Sequence, residues 1–131
     1  MSMISRSAFL AAGASILIGG AASDPQMVTG FSDMSDTKIS VRAVAPTKVI
    51  REYAICKAIW IAEKKKVRKI ALTSPVYGPP KSPPPLNWSF PPDWASLETT
   101  AYFNGDSPDG NPAFDVSEKA DACRKAWDWF H

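Results

Sequence analysis

From Lys38 onward apolar and polar residues alternate: Ile39, Val41 and Ala43 fall on one side and Lys38, Ser40 and Arg42 on the other. That is the period of a half-buried strand. Pro46 ends the run, because its ring fixes φ and removes a ladder donor. The period then changes. Val49, Tyr53, Cys56 and Trp60 recur at helical spacing, which predicts a helix over 47–66 with Thr47 as its N-cap. Ile50, Ala54, Ile55, Ile59 and Ile61 widen the apolar stripe until Lys57 is the only charge between Tyr53 and Ala62. Such a helix has to be covered on more than one side. Lys64, Lys65 and Lys66 follow where cations meet the negative end of the helix dipole.

A short β-prone segment over 67–73, with Ile70 and Leu72 on one face, is a second strand and stops at Pro75. Alternation returns over 95–103, where Leu97, Thr99, Ala101 and Phe103 oppose Glu98, Thr100 and Tyr102, as in a third strand. Asn104-Gly105 and Ser107-Pro108-Asp109-Gly110 have turn chemistry and reverse the chain. A closing helix is expected from Asp115, whose carboxylate and Glu118 form a capping box. Its stripe is Val116, Ala120, Cys123, Trp127 and Phe130, with Asp121 and Lys125 paired on the wet side. Residues 23–37 show no period and are expected to be an irregular lead-in. The result is an α+β fold: a small three-stranded sheet in the order strand-helix-strand-strand-helix, with both helices packed on one face.

Eight of the twelve prolines fall within 75–92. Residues 75–93 therefore read as a stiff, extended loop in which helix and central strand are both precluded. Tyr77, Trp88, Phe90 and Trp94 are spread through it and are the candidate binding residues. The loop is either a lid that buries its rings on the open sheet face or a surface that presents them to a peptide or sugar. Pro80-Lys81-Ser82-Pro83 has the spacing of polyproline ligands.

The first residues follow a different logic. Arg6 precedes an apolar run over 8–18 and the small-residue stretch Gly19-Gly20-Ala21-Ala22. Basic, apolar and small segments in that order make a signal peptide over 1–22, cut after Ala22, with the remaining 23–131 as one domain. The run is too short to span a bilayer. An uncleaved N-terminal anchor is the alternative. No stable membrane span is expected after cleavage, and the location implied is periplasmic or secreted.

Composition agrees with a globular chain: 131 residues, 45% hydrophobic and 21% charged, with a formal net charge of +2. So small a charge supplies no drive toward nucleic acid. Cys56 and Cys123 are the only cysteines. Both lie mid-stripe on apolar helices, and in an oxidising compartment they are expected to form a disulfide. Two reduced, buried cysteines are the alternative.

His131, the last residue, is the only histidine, which removes the usual Ser-His-Asp and Cys-His arrangements and closed zinc sites. Carboxylates remain. Asp33 with Asp36, and Asp106 with Asp109, are loop pairs of the type that hold metals or do acid/base work, yet turn formation accounts for both better. No catalytic residue, metal or cofactor is therefore assigned. The run Lys64-Lys65-Lys66-Val67-Arg68-Lys69 is a solvated helix end that could also touch anionic lipid headgroups or an acidic partner.

Gly30-Phe31-Ser32-Asp33, the strand through Val41, and Tyr53-Ala54-Ile55-Cys56-Lys57-Ala58-Ile59-Trp60 resemble a family of small uncharacterised bacterial envelope lipoproteins. Those proteins carry a Gly-Tyr-Ser-Asp stretch and a Tyr-x-Leu-x-Arg-Ala-Ala-Glu helix. Lys57 and Ala58 match the basic-Ala pair; Ile59 and Trp60 depart from Ala and Glu, and the lipidation cysteine is missing. The resemblance, over 30–74, implies an envelope location and no particular reaction. The expectation is an exported, non-enzymatic envelope protein with a structural or partner-binding role toward an envelope protein or cell-wall component. A hydrolase using loop carboxylates and a secreted inhibitor or immunity-like binder are the alternatives.

Overall fold

A computed structural model describes residues 24–128. The signal peptide expected over 1–22, Phe130 and His131 lie outside the described residues. The chain divides into two compact units. Among the described residues the larger comprises Gln26–Lys81 and the segment from Pro91 onward, and the smaller contains Ser82–Phe90.

The larger unit contains β1 (Val28–Ser35), β2 (Lys38–Pro46), α1 (Thr47–Lys64), β3 (Lys69–Leu72), β4 (Val76–Gly78), β5 (Trp94–Phe103), β6 (Phe114–Asp115) and α2 (Val116–Ala126). All six strands join one antiparallel sheet in the order β1-β2-β5-β3-β6, with β4 also paired to β5. The three-stranded sheet expected from the pattern is thus corrected to six strands; the fold remains α+β. The three strands that alternation revealed are β2, β3 and β5. The other three escaped for separate reasons. β1 is an edge strand whose residues from Phe31 to Ser35 are exposed, so no dry face imposes a period. Its pairing with β2 is made by backbone, through a tight reversal at Asp36-Thr37. β4 has three residues and is bounded by Pro75 and Pro79, and β6 has only two. Such edge pieces tolerate neighbouring prolines because no second strand needs their donors.

β2 spans one edge of β5 along the full pairing from Lys38↔Tyr102 to Pro46↔Trp94. β3 and β4 therefore share the other edge end to end. Between Leu72↔Ala101 and Val76↔Glu98 the register slips by one residue. The helix-side face of the sheet is dry: Ile39, Val41, Ala43 and Ala45 of β2 and Leu97 and Ala101 of β5 are buried. On the other face Lys38 lies over the Tyr102 ring at 5.7 Å and the Ser40 hydroxyl donates to Glu98 at 3.2 Å.

Helix α1 covers the dry face with Ile50, Ala54, Ala58, Ile61 and Ala62. Thr47 does not cap it. Pro46 holds the N-cap position while still paired to Trp94, and the Thr47 N–H donates to the Asp93 carbonyl at 2.7 Å. At the other end Lys66 has φ 60°. The Val67 N–H reaches the Ala62 carbonyl at 2.8 Å and the Lys66 N–H reaches Glu63 at 3.1 Å, the double bond of a Schellman cap. Asp115 does precede α2, though without a side-chain cap bond.

Cys56 and Cys123 form a disulfide with 5.5 Å between Cα atoms. The bridge fastens α2 to α1. Beside it Arg124 grips both Glu63 oxygens, at 2.7 and 2.6 Å. Asp121 pairs with Arg124 at 3.2 Å rather than with Lys125.

In the smaller unit the Leu86 N–H bonds to the Pro83 carbonyl at 2.8 Å, closing a turn around the cis Pro84–Pro85 bond. The Trp88 N–H donates to Ser82 Oγ at 2.7 Å.

Candidate functional site

The apolar surplus of α1 predicts a helix covered on more than one side, and one of those sides is only partly filled. Ala54 and Ile55 of α1 face Leu97 and Thr99 of β5 and the segment Leu72 to Pro75 across a groove of about 450 Å³. Residues Asn111 to Phe114 form the opposite wall, and Arg51 and Lys119 contribute the cations of its lining. The volume falls in the range of small-molecule sites, on the order of 300–1,000 Å³.

The register slip in the sheet shapes this groove. The Thr73 N–H continues the ladder to the Thr100 carbonyl at 2.9 Å, but the Thr100 N–H is answered by the Thr73 hydroxyl, also at 2.9 Å. The Thr99 hydroxyl, in turn, donates to the Thr73 carbonyl at 2.8 Å. Two side chains thus replace backbone partners where the ladder changes register ahead of Val76. Thr99 is buried and its hydroxyl is satisfied locally, so the floor makes no polar demand on an occupant.

The carboxylates of the turn segment hold the wall. Asp109 Oδ2 accepts from the Ser74 N–H at 2.7 Å, and Asp106 Oδ1 from the Ala113 N–H at 3.4 Å. Asn111 donates to the Leu72 carbonyl at 2.9 Å. Asp33, of the other pair, meets Lys65 at 3.2 Å. Among the described residues no three His, Cys, Asp or Glu side chains gather as a metal site.

The four aromatic candidates are divided between the two units. Trp88 and Phe90 stand edge to face at 6.0 Å within the smaller one. Tyr77 and Trp94 belong to the sheet, opposite Leu97 and Pro46 respectively. Tyr77 is 52% exposed. β4 and β5 thus hold one ring each, Tyr77 and Trp94.

Two groups elsewhere are electrostatically perturbed. Burial pushes the Tyr53 hydroxyl above the ordinary tyrosine range, and its hydrogen bond to Thr29 opposes this. Its ring packs against Trp127 at 4.8 Å. Partial burial and then the nearby Lys64 charge lower the Lys57 ammonium. Both lysines lie over the Trp60 ring, at 4.3 and 4.4 Å.

Comparison with family models, curated proteins and solved structures finds no match for this chain. Function has to be argued from the site's own chemistry. Arg51, Leu72, Thr73, Leu97, Thr99 and Lys119 were not foreseen as site residues. The one available signal was Ile55, which made the α1 stripe wider than one sheet face needs.

Proposed function

We propose that this chain is an exported, non-enzymatic binding protein of the cell envelope, and that the groove beside α1 is its binding site. The observation that carries this reading is the lining itself: apolar Ala54, Ile55, Leu72, Leu97 and Phe114 with hydroxyl, amide and cationic groups, and no carboxylate, thiol or imidazole. Acid/base or nucleophilic catalysis needs a titratable partner near neutrality. Of the loop carboxylates on which a hydrolase would depend, Asp106 and Asp109 are engaged by backbone N–H groups and Asp33 by Lys65.

The disulfide supports a location outside the reducing cytosol. No helix among the described residues is long and apolar enough to cross a membrane. The envelope-lipoprotein resemblance of residues 30–74 supports the same compartment. The test is a methyl-NMR screen of small molecules against the purified chain, run alongside ester, amide and glycoside hydrolysis assays. Ligands should perturb the methyls of Ile55, Leu72 and Leu97 without turnover. Hydrolysis that vanishes in Asp106→Asn or Asp109→Asn would overturn the proposal.

The aromatic segment supports a second reading, contact with an envelope protein or cell-wall component through Ser82–Phe90, because Leu86 is 49% exposed close to Trp88. Under that reading Trp88→Ala abolishes partner capture and leaves the melting temperature nearly unchanged. A large thermal shift with capture intact would assign Trp88 to structure alone.

A further inference from the structure

Resting on the groove as a binding site, the geometry points to its ligand class: we infer that it takes a small amphipathic carboxylate, a medium-chain fatty acid being the simplest. Three observations converge. The accessible apolar surface comes from half-buried Ile55, Leu72 and Phe114, over buried Ala54 and Leu97, and suits an alkyl chain. The Thr73 and Thr99 hydroxyls bond to each other and to strand backbone, so a chain laid over them leaves no buried polar group unpaired.

The third observation is charge. Arg51 and Lys119 both line the groove, both are exposed, and neither is in an ion pair among the described residues. Lys119 is placed over the Phe114 ring at 5.6 Å, which keeps its ammonium on the groove wall. The charged side chains of the lining itself are both cations, while the nearest carboxylates, Asp106 and Asp109, lie behind the wall and are engaged by the Ala113 and Ser74 N–H groups. An alkyl cation is repelled, a neutral alcohol gains only the apolar contact, and an alkyl carboxylate gains both.

The experiment titrates the full chain with octanoate, 1-octanol and octylammonium below their aggregation limits, followed by methyl NMR of Ile55, Leu72 and Leu97 and by calorimetry. Octanoate should bind tightest and shift those methyls. The double variant Arg51→Gln/Lys119→Gln should weaken octanoate by about tenfold, the scale of two exposed charge pairs, and leave octanol unchanged. Both positions are exposed, so an unchanged melting curve confirms an intact fold. Octanol binding as well as octanoate, or full octanoate affinity in the double variant, overturns the anion assignment while the groove stands as a binding site. Failure of all three probes to shift the groove methyls overturns the assignment and the reading beneath it.

Discussion

Lys66 ends α1 in a conformation that a side chain resists. At φ 60° its Cβ crowds the following carbonyl, a strain of roughly 1–2 kcal/mol for an ordinary residue. The Schellman bonds from Val67 to Ala62 and from Lys66 to Glu63, with Val67 packed against the core, hold it there. Lys66→Gly removes the strain and keeps both bonds, which use backbone alone. Against this stand the extra freedom of glycine in the unfolded chain, roughly 0.5–1 kcal/mol, and the loss of one cation near the helix end, roughly 0.3–1 kcal/mol when exposed. Lys66→Ala isolates the charge, since alanine keeps the Cβ. Glycine should therefore exceed alanine by about 0.5–1 kcal/mol in chemical denaturation, a rise of a few degrees in melting temperature. Asn104 supplies the control: it also has positive φ, 58°, but its own Oδ1 and N–H bond to Lys69. Asn104→Gly should gain nothing, because asparagine tolerates this region and the side-chain bond is lost. If Lys66→Gly is no more stable than Lys66→Ala, the strain argument fails.

Three further outcomes follow from the packing. Intact chain should titrate with no free thiol under denaturing, non-reducing conditions, and Cys56→Ala/Cys123→Ala should lose about 4 kcal/mol for the 67-residue separation it opens, read as a lower urea midpoint. Arg124→Ala should lose about 1 kcal/mol or less by the same assay, because its bridge to Glu63 is only partly shielded from solvent; a loss of several kcal/mol would show that bridge to be effectively buried. Because burial raises the Tyr53 pKa, its contribution is fully present below the unfolded tyrosine pKa and lost as pH rises through the folded value. Wild type should weaken above about pH 10 and Tyr53→Phe should weaken less, compared by urea midpoints; Lys57, shifted down, works in the opposite direction in both proteins.

What the sequence shows of this fold depends on where one face of an element is dry. β2 and β5 alternate because Ile39, Val41, Leu97 and Ala101 share a buried face, and that constraint writes a period into the residues. β1 is under no such constraint, and its pairing resides in N–H and C=O groups that every residue carries alike. The cysteines were legible for the same reason as β2: each lies on an apolar helical stripe, and stripes of facing helices meet. The groove was not legible, because its parts are joined by register rather than by pattern. Thr73 and Thr99 read as unremarkable strand residues until the one-residue slip makes their hydroxyls stand in for backbone partners. Pro75 contributes to that slip, since it cannot donate to β5 and the ladder has to resume at Val76 in a new register. The prolines that marked 75–93 as a loop therefore have a second consequence. Pro75 itself lines the groove beside half-buried Ile55, so the break between β3 and β4 lies where the apolar excess of α1 is left partly open.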